Sequence, residues 1–283
     1  MKFKSIFILL NITLLFFLVI LVLMPFFMLG FSPVGNSLAG SFWQVNWPYV
    51  LVLVILFIGF NAFYFINKQL FLLLEKEDWP ALVRYLEDRV IQRGRYSPRL
   101  VRLLANSYLV LSDSAAVMSL ENKVAIAKPS LVDANVLVFG TARILGKDIS
   151  GAVRFFEVRR DAAKGERREW VNWYRGFALL LDRRYEEAAD DFSLLARVSK
   201  EGVITGLSSY FLAETIARAL PDREPELRNI SREGRERVLR ALPGIKHWSR
   251  EISRLSTEIH VAVLSKYMEE TSHWLYDSNR GEE

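Results

Sequence analysis

The sequence predicts an all-α protein: a two-helix transmembrane hairpin followed by an α-solenoid of paired helices with capping helices. Three observations predict it. Between Lys4 and Lys68 there is no Asp, Glu, Lys, Arg or His, a run of 63 residues. Residues 98–200 repeat at a spacing of 36 residues. From Ile245 onward apolar residues return at alternating steps of three and four, the period of one helix face.

Within the uncharged stretch, the runs from Ser5 to Gly30 and from Tyr49 to Ile66 each approach the ~20 residues that cross a hydrocarbon layer as helix. The domain reading is therefore two spans, about 5–30 and 49–66, within residues 1–67. Phe31 to Pro48 holds Pro33, Gly35, Asn36, Gly40 and Asn46, which interrupt helices, and Trp43, Trp47 and Tyr49, which favour a headgroup interface. It reads as a short loop. Lys2 and Lys4 precede the first span, and Lys68, Lys76 and Arg84 follow the second, so both termini are expected on the cytoplasmic side of an inner membrane. A cleaved secretory signal is the competing reading, with small residues at Ser37-Leu38-Ala39; that site lies well past the end of the apolar run. Asn11 lies seven residues after Lys4 and Asn61 seven before Lys68, level in an antiparallel hairpin. Their amides either bond to each other or turn to water and their own backbone.

All 32 acidic residues lie beyond position 74, and from Lys68 onward 35 Lys plus Arg face them, a balance of +3. That is too mild for a nucleic-acid surface. Cysteine is absent, which excludes disulfides, thiolate zinc sites, a cysteine nucleophile and a lipoprotein anchor.

Asp78-Trp79-Pro80 starts a helix and Gly94 stops it, giving a membrane-proximal region over 68–97 with a lone helix. Over 98–200 three helical pairs are expected. Ala116, Ala152 and Ala188 share one phase of the 36-residue repeat, and Leu120, Phe156 and Phe192 follow four residues later. Further up each unit Leu104, Gly140 and Gly176 share a phase, as do Leu109, Leu145 and Leu181. Small residues let helices approach, and large ones four positions on point at the same neighbour. Residues 201–283 should cap the array: one helix from Gly202 to Leu220, a turn at Pro221–Pro225, a helix to Leu242, and a long amphipathic helix from Ile245. That last helix could instead serve as a partner helix or coiled-coil seam.

The unit around Trp173 resembles the tetratricopeptide repeat. It reads Trp173-Tyr-Arg-Gly176-Phe-Ala178, then Tyr185-Glu-Glu187-Ala188, then Phe192, with small, aromatic and alanine positions at that family's spacing. The unit from Ala134 to Lys164 follows with Gly140, Ala142, Ala152 and Phe156, and the one from Pro98 to Lys128 precedes it. The resemblance covers about 100 of 283 residues. It implies that the first helix of each pair lines a groove that receives other proteins. Trp170, Trp173, Phe177 and Leu180 fall on that face, and one unit earlier so do Ala134, Leu137, Thr141 and Ile144. Either this stripe holds a partner segment, or the terminal helix folds back over it.

Residues that could carry chemistry are sparse. His247, His260 and His273 are 13 residues apart, which turns each by about 220° from the last on one helix and prevents convergence on a metal. They are expected in solvent or on helix flanks. Gly140 to Lys147 lacks the spacing of a phosphate-binding loop. Acid pairs at Glu186-Glu187, Asp190-Asp191 and Glu269-Glu270 read as solvated faces. Arginines gather at 159–160, 167–168, 183–184 and 228–240, the last set preceded at four residues by Glu224, Glu233 and Glu236. Ion-paired helix surface and attraction to anionic lipid are the two readings of these clusters.

The expected function is thus a membrane-anchored scaffold for protein–protein interaction, with the lipid bilayer and other proteins as partners. No cofactor, metal, nucleic acid, small-molecule substrate or catalysis is expected. The alternative is a structural part of an envelope machine, such as a flagellar motor or secretion apparatus, with the repeat domain in the periplasm. A lipid-binding module or an enzyme stands behind these.

Overall fold

A computed structural model describes residues 3–31, 35–256 and 258–277. Among these residues the protein is entirely helical, without strands, and the chain divides into two compact units, 1–85 and 86–283.

The first unit is led by α1 (Phe3–Phe31) and α2 (Gly35–Glu75). Both contain stretches long and apolar enough to cross a membrane, Ser5–Met24 and Gly40–Glu75. The two helices pack along a seam spaced at three and four residues: Phe7, Asn11, Leu14 and Leu18 on α1, and Phe57, Phe60, Asn61 and Tyr64 on α2, are half-buried. The Phe7 and Tyr64 rings stack with centroids 3.6 Å apart. Residues between the seam positions are exposed and apolar, such as Phe16, Ile55 and Phe65.

The expected loop from Phe31 to Pro48 is mostly helix. α2 begins at Gly35 and passes through Pro48 as one helix of 41 residues, about 60 Å long. In so apolar a stretch a helix satisfies nearly every backbone donor internally, which outweighs the one bond Pro48 removes and the intrinsic preferences of Gly40 and Asn46. Asn46 Nδ2 donates to the Phe42 carbonyl at 2.9 Å, so its amide is satisfied by the helix itself. Pro33 lies outside the described residues.

The membrane-proximal region holds a helix between Asp78 and Gly94 as expected, preceded by the end of α2. α2 runs through Lys68 to Glu75 and turns at Glu77, whose φ is +54°, into α3 (Trp79–Glu87). Asp78 caps α3, its Oδ1 accepting from the Ala81 amide at 3.1 Å. A single π-helical turn, Asp88–Gln92, and a left-handed Gly94 end the segment.

The same turn recurs through the second unit. α4 (Pro98–Val110) and α5 (Ser114–Ala127) meet at Ser112, α7 (Val136–Leu145) and α8 (Ile149–Arg159) at Lys147, and α9 (Glu166–Leu181) and α10 (Tyr185–Val198) at Arg183. Each turn residue is left-handed, with φ of +60°, +63° and +62°. Each is followed by an amide bonded back to the preceding helix: Asp113 to Tyr108, Asp148 to Arg143 and Arg184 to Leu179, all at 2.9 Å. Asp113 and Asp148 then cap the second helix through the Ala116 and Gly151 amides. Only the short α6 (Ser130–Ala134) interrupts the alternation.

Counting from these turns corrects the first unit's register. The spacing from Ser112 to Lys147 is 35 residues, and from Lys147 to Arg183 it is 36. Val117, not Ala116, therefore shares the position of Ala152 and Ala188; all three are fully buried, while Ala116 is half-exposed. Ala105, not Leu104, shares the position of Gly140 and Gly176, and Glu121 that of Phe156 and Phe192. Leu120 is buried one position away.

First helices pack on one another, α4 on α7, α7 on α9 and α9 on α11 (Gly202–Phe211), while each second helix packs on its own first. α11 continues through a π turn, Leu212–Ile216, into α12 (Ala217–Ala219), and α13 (Glu224–Ala241) packs back on it as a further pair.

The predicted long terminal helix is broken. α14 (Ile245–Leu255), α15 (Ile259–Ala262) and α16 (Ser265–Tyr276) replace it, and Ile245 stays exposed. A straight helix would carry one stripe past a single neighbour. The bends let Trp248 and Leu255, then His260 and Val261, then Met268 and Leu275 each reach buried positions.

Candidate interaction groove

The face lined by the first helices is where the expected site residues meet. Trp170, Trp173, Phe177 and Leu180 do form one stripe on α9, but it is closed: their exposures are 3, 0, 6 and 8%. Phe177 meets the Tyr267 ring of α16 at 5.4 Å, and Trp170 meets the His260 ring of α15 at 5.3 Å. Trp173 stacks on Phe177 and contacts Phe192 and Phe211. Tyr174 reaches across to donate to the His260 carbonyl at 2.6 Å, and burial pushes its phenol pKa up. Of the two alternatives for this stripe, the structure shows the covered one. Aromatic surface of this size is too costly to leave in water when the chain's own C-terminal segment can reach it.

One unit earlier the face stays half-open. Leu137 and Ile144 are half-buried, and α15 packs on α7 without covering them fully. A cavity of about 530 Å³ remains there, bounded by Arg102, Asn135, Leu137, Trp170, Glu258 and His260. Arg102 lines it, with Nη1 3.6 Å from Glu258 Oε1 and Nε 3.5 Å from Asn135 Oδ1. His260 is 4% exposed, and burial, aided by Arg102, lowers its pKa from 6.5 to about 4. It is a neutral core histidine, unlike the solvated one expected from the sequence. His247 is exposed, and His273 sits 3.1 Å from Asp277. Among the described residues no group of three or more His, Cys, Asp or Glu is placed to hold a metal ion.

The repeat-packing residues interlock as pairs. A Cβ on Gly140 would lie 2.0 Å from Phe156 Cζ, and one on Gly176 would lie 3.2 Å from Phe192 Cε1. Gly140 thus admits the whole Phe156 ring against the backbone of α7. Beside the second pair lies a buried charge cluster absent from the sequence expectations. Arg175 on α9 holds Asp191 of α10 at 2.6 Å and also bonds Glu157 of α8, tying three helices together. Asp191 is 4% exposed rather than solvated, and burial raises its pKa against the pull of Arg175.

The arginines of α13 are mostly structural. Arg228 pairs with Glu224 at 2.6 Å as expected, but Arg237 leaves Glu233 and donates to the carbonyls of Ala196, Arg197 and Ser199 at the end of α10. Arg240 bonds the Glu236 carbonyl rather than its carboxylate. Arg235 donates to the Leu275 carbonyl and lies over the Trp274 ring. In the first unit the two amides meet: Asn61 Nδ2 donates to Asn11 Oδ1 at 2.7 Å and to the Phe57 carbonyl at 2.9 Å.

The class defined by this architecture is an all-helical protein of stacked helical pairs preceded by two long apolar helices. Residues 116–277, more than half the chain, match the family described as "Uncharacterised Treponema protein", and the chain belongs to that family. The chain is also 29% identical over 246 residues to an "Uncharacterized protein" of Treponema pallidum (strain Nichols), covering 84% of this chain and 78% of that relative. No solved structure matches.

Proposed function

We propose that this protein is a membrane-anchored, tetratricopeptide-like scaffold that holds a partner protein at the inner membrane, without catalysis. The observation that carries the reading is the recurring unit of helix, left-handed turn and second helix at spacings of 35 and 36 residues, in a chain led by two helices of membrane-spanning length. Stacked pairs of this kind expose one continuous face of first helices. Most of that face is occupied by the chain's own C-terminal segment, so the stretch around Arg102, Asn135 and Leu137 is the entry for a partner. The lysines at both ends of the apolar stretch favour a cytoplasmic repeat unit. A periplasmic repeat unit would make the protein a structural part of an envelope machine.

A photo-crosslinking residue placed at Ala134, which lines the same cavity, should capture a defined protein in cells, and adding Leu137→Asp should abolish capture. The same probe at Ile126, 88% exposed on α5, should not capture it. Equal capture at both positions, or none, refutes the groove. A C-terminal reporter active only in the periplasm would overturn the cytoplasmic assignment.

A further inference from the structure

The junctions that lead from one helical pair to the next lie along one edge of the second unit. Asp133, at α6, is 3.6 Å from Arg159 at the end of α8. Asn135, Lys164 and Arg167 bound the same cavity. Ser199, after α10, bonds Glu169 near the start of α9. Arg102, in the first turns of α4, reaches Asn135.

This edge is basic in a way the overall charge conceals. Its acids are largely neutralised: Asp88 by Arg93 at 2.8 Å, Asp133 by Arg159, Asp161 by Arg168 at 4.0 Å, and Glu201 by Arg254 at 3.6 Å. Six further cations, Arg95, Arg99, Lys128, Lys164, Arg167 and Lys200, are exposed and form no ion pair with any described residue. Against them stand two acids without an ion pair, Glu166 and Glu169, the second held by Ser199. The opposite edge, formed by the left-handed turns, is mixed: Asp113 and Asp148 cap helices, Ser150 bonds Asp182, and Arg223 pairs with Glu186 and Asp190.

We propose that the basic edge docks on an anionic lipid surface. The inference rests on the membrane-anchor reading above, since the chain's own apolar helices supply the nearby bilayer. Exposed Lys and Arg within a Debye length of an anionic leaflet are each drawn to it, and their contributions accumulate. Several such contacts would hold the edge at the headgroups and leave the opposite edge in water. Unpaired cations distributed over every junction suit a planar anionic surface better than a compact ligand, which needs convergent groups.

Because the chain has no cysteine, single labels can be placed cleanly. The full-length protein is reconstituted in nanodiscs of phosphatidylcholine or of phosphatidylcholine with phosphatidylglycerol, each containing a headgroup-nitroxide lipid. A fluorophore is attached at Ser130→Cys or Ala162→Cys on the basic edge, or at Ser112→Cys on the other. Stronger quenching at positions 130 and 162 than at 112, present only with phosphatidylglycerol and lost at high salt, is the expected result. The combined variant Arg95→Glu, Lys128→Glu, Lys164→Glu and Lys200→Glu should abolish the difference; the control Lys147→Glu with Arg183→Glu should keep it. Equal quenching in both lipids, or equal quenching at 112, overturns the docking. Failure of the protein to co-elute with the discs overturns the anchor itself. Shielding of 130 and 162 that requires an added acidic protein assigns the edge to that partner and refutes the lipid.

Discussion

Phe156 occupies the space that a side chain at Gly140 would need, its Cζ 2.0 Å from the position of a Cβ there. The ring is fully buried and has nowhere to retreat. Gly140→Ala should therefore destabilise the second unit by about 1–3 kcal/mol despite the better helix propensity of alanine. Gly176→Ala, with its nearest neighbours at 3.2 Å, should be much milder. Thermal melts of the two variants, compared directly, test the ordering.

His260 makes stability fall in acid. Its folded pKa, about 4, is below the unfolded value of 6.5, so the neutral form is favoured on folding. The stabilisation is complete above about pH 6.5 and is lost as pH falls toward 4, roughly 2 kcal/mol of it by pH 5. Arg102 and Glu258, paired at 3.6 Å, are the charged groups that face the same cavity. His260→Leu should show a smaller loss of melting temperature between pH 7 and pH 5 than the parent protein, and an equal loss would refute the assignment.

Arg237 caps the end of α10 from α13. Arg237→Ala should leave the carbonyls of Ala196 and Ser199 without that donor and cost about 2–3 kcal/mol in denaturant unfolding. Arg237→Lys should recover only part of this, since an ammonium cannot fork across several carbonyls.

The Asn11–Asn61 bond predicts a coupling within the apolar hairpin. In a double-mutant cycle with alanine, the interaction energy should be roughly 0.6–2 kcal/mol. Cysteines at both positions should cross-link in membranes; no cross-link with both helices inserted would exclude the contact.

How much of this was legible differs by element. The two long apolar helices are plain in the sequence because charge is absent over the whole run. Their seam is not, because Phe7 and Tyr64 lie among residues just as apolar as themselves, and only Asn11 and Asn61 stand out. The helical pairs are readable where Gly140 faces Phe156 and Gly176 faces Phe192. The first pair defeats a 36-residue ruler, since Val117 and Glu121 replace the small and aromatic residues and the spacing is one shorter. Asp78, Asp113 and Asp148, each 35 residues apart, are the signal that reveals it. The aromatic stripe of α9 is visible as a pattern, but its cover is not: the sequence from Ile245 to Tyr276 contains neither glycine nor proline to divide α14, α15 and α16. Arg175 and Asp191 look like ordinary surface charges until the pair is buried.

The closure of the α9 stripe by α15 and α16 also sets an order of events at the ribosome. Tyr174 and its bonding partner His260 are 86 residues apart. At ~5–20 residues per second, Trp170, Trp173 and Phe177 wait roughly 4–17 seconds for the segment that shelters them. During each round of synthesis the nascent chain thus presents an adhesive aromatic surface, and the speed of translation through the last helices determines how long that hazard lasts.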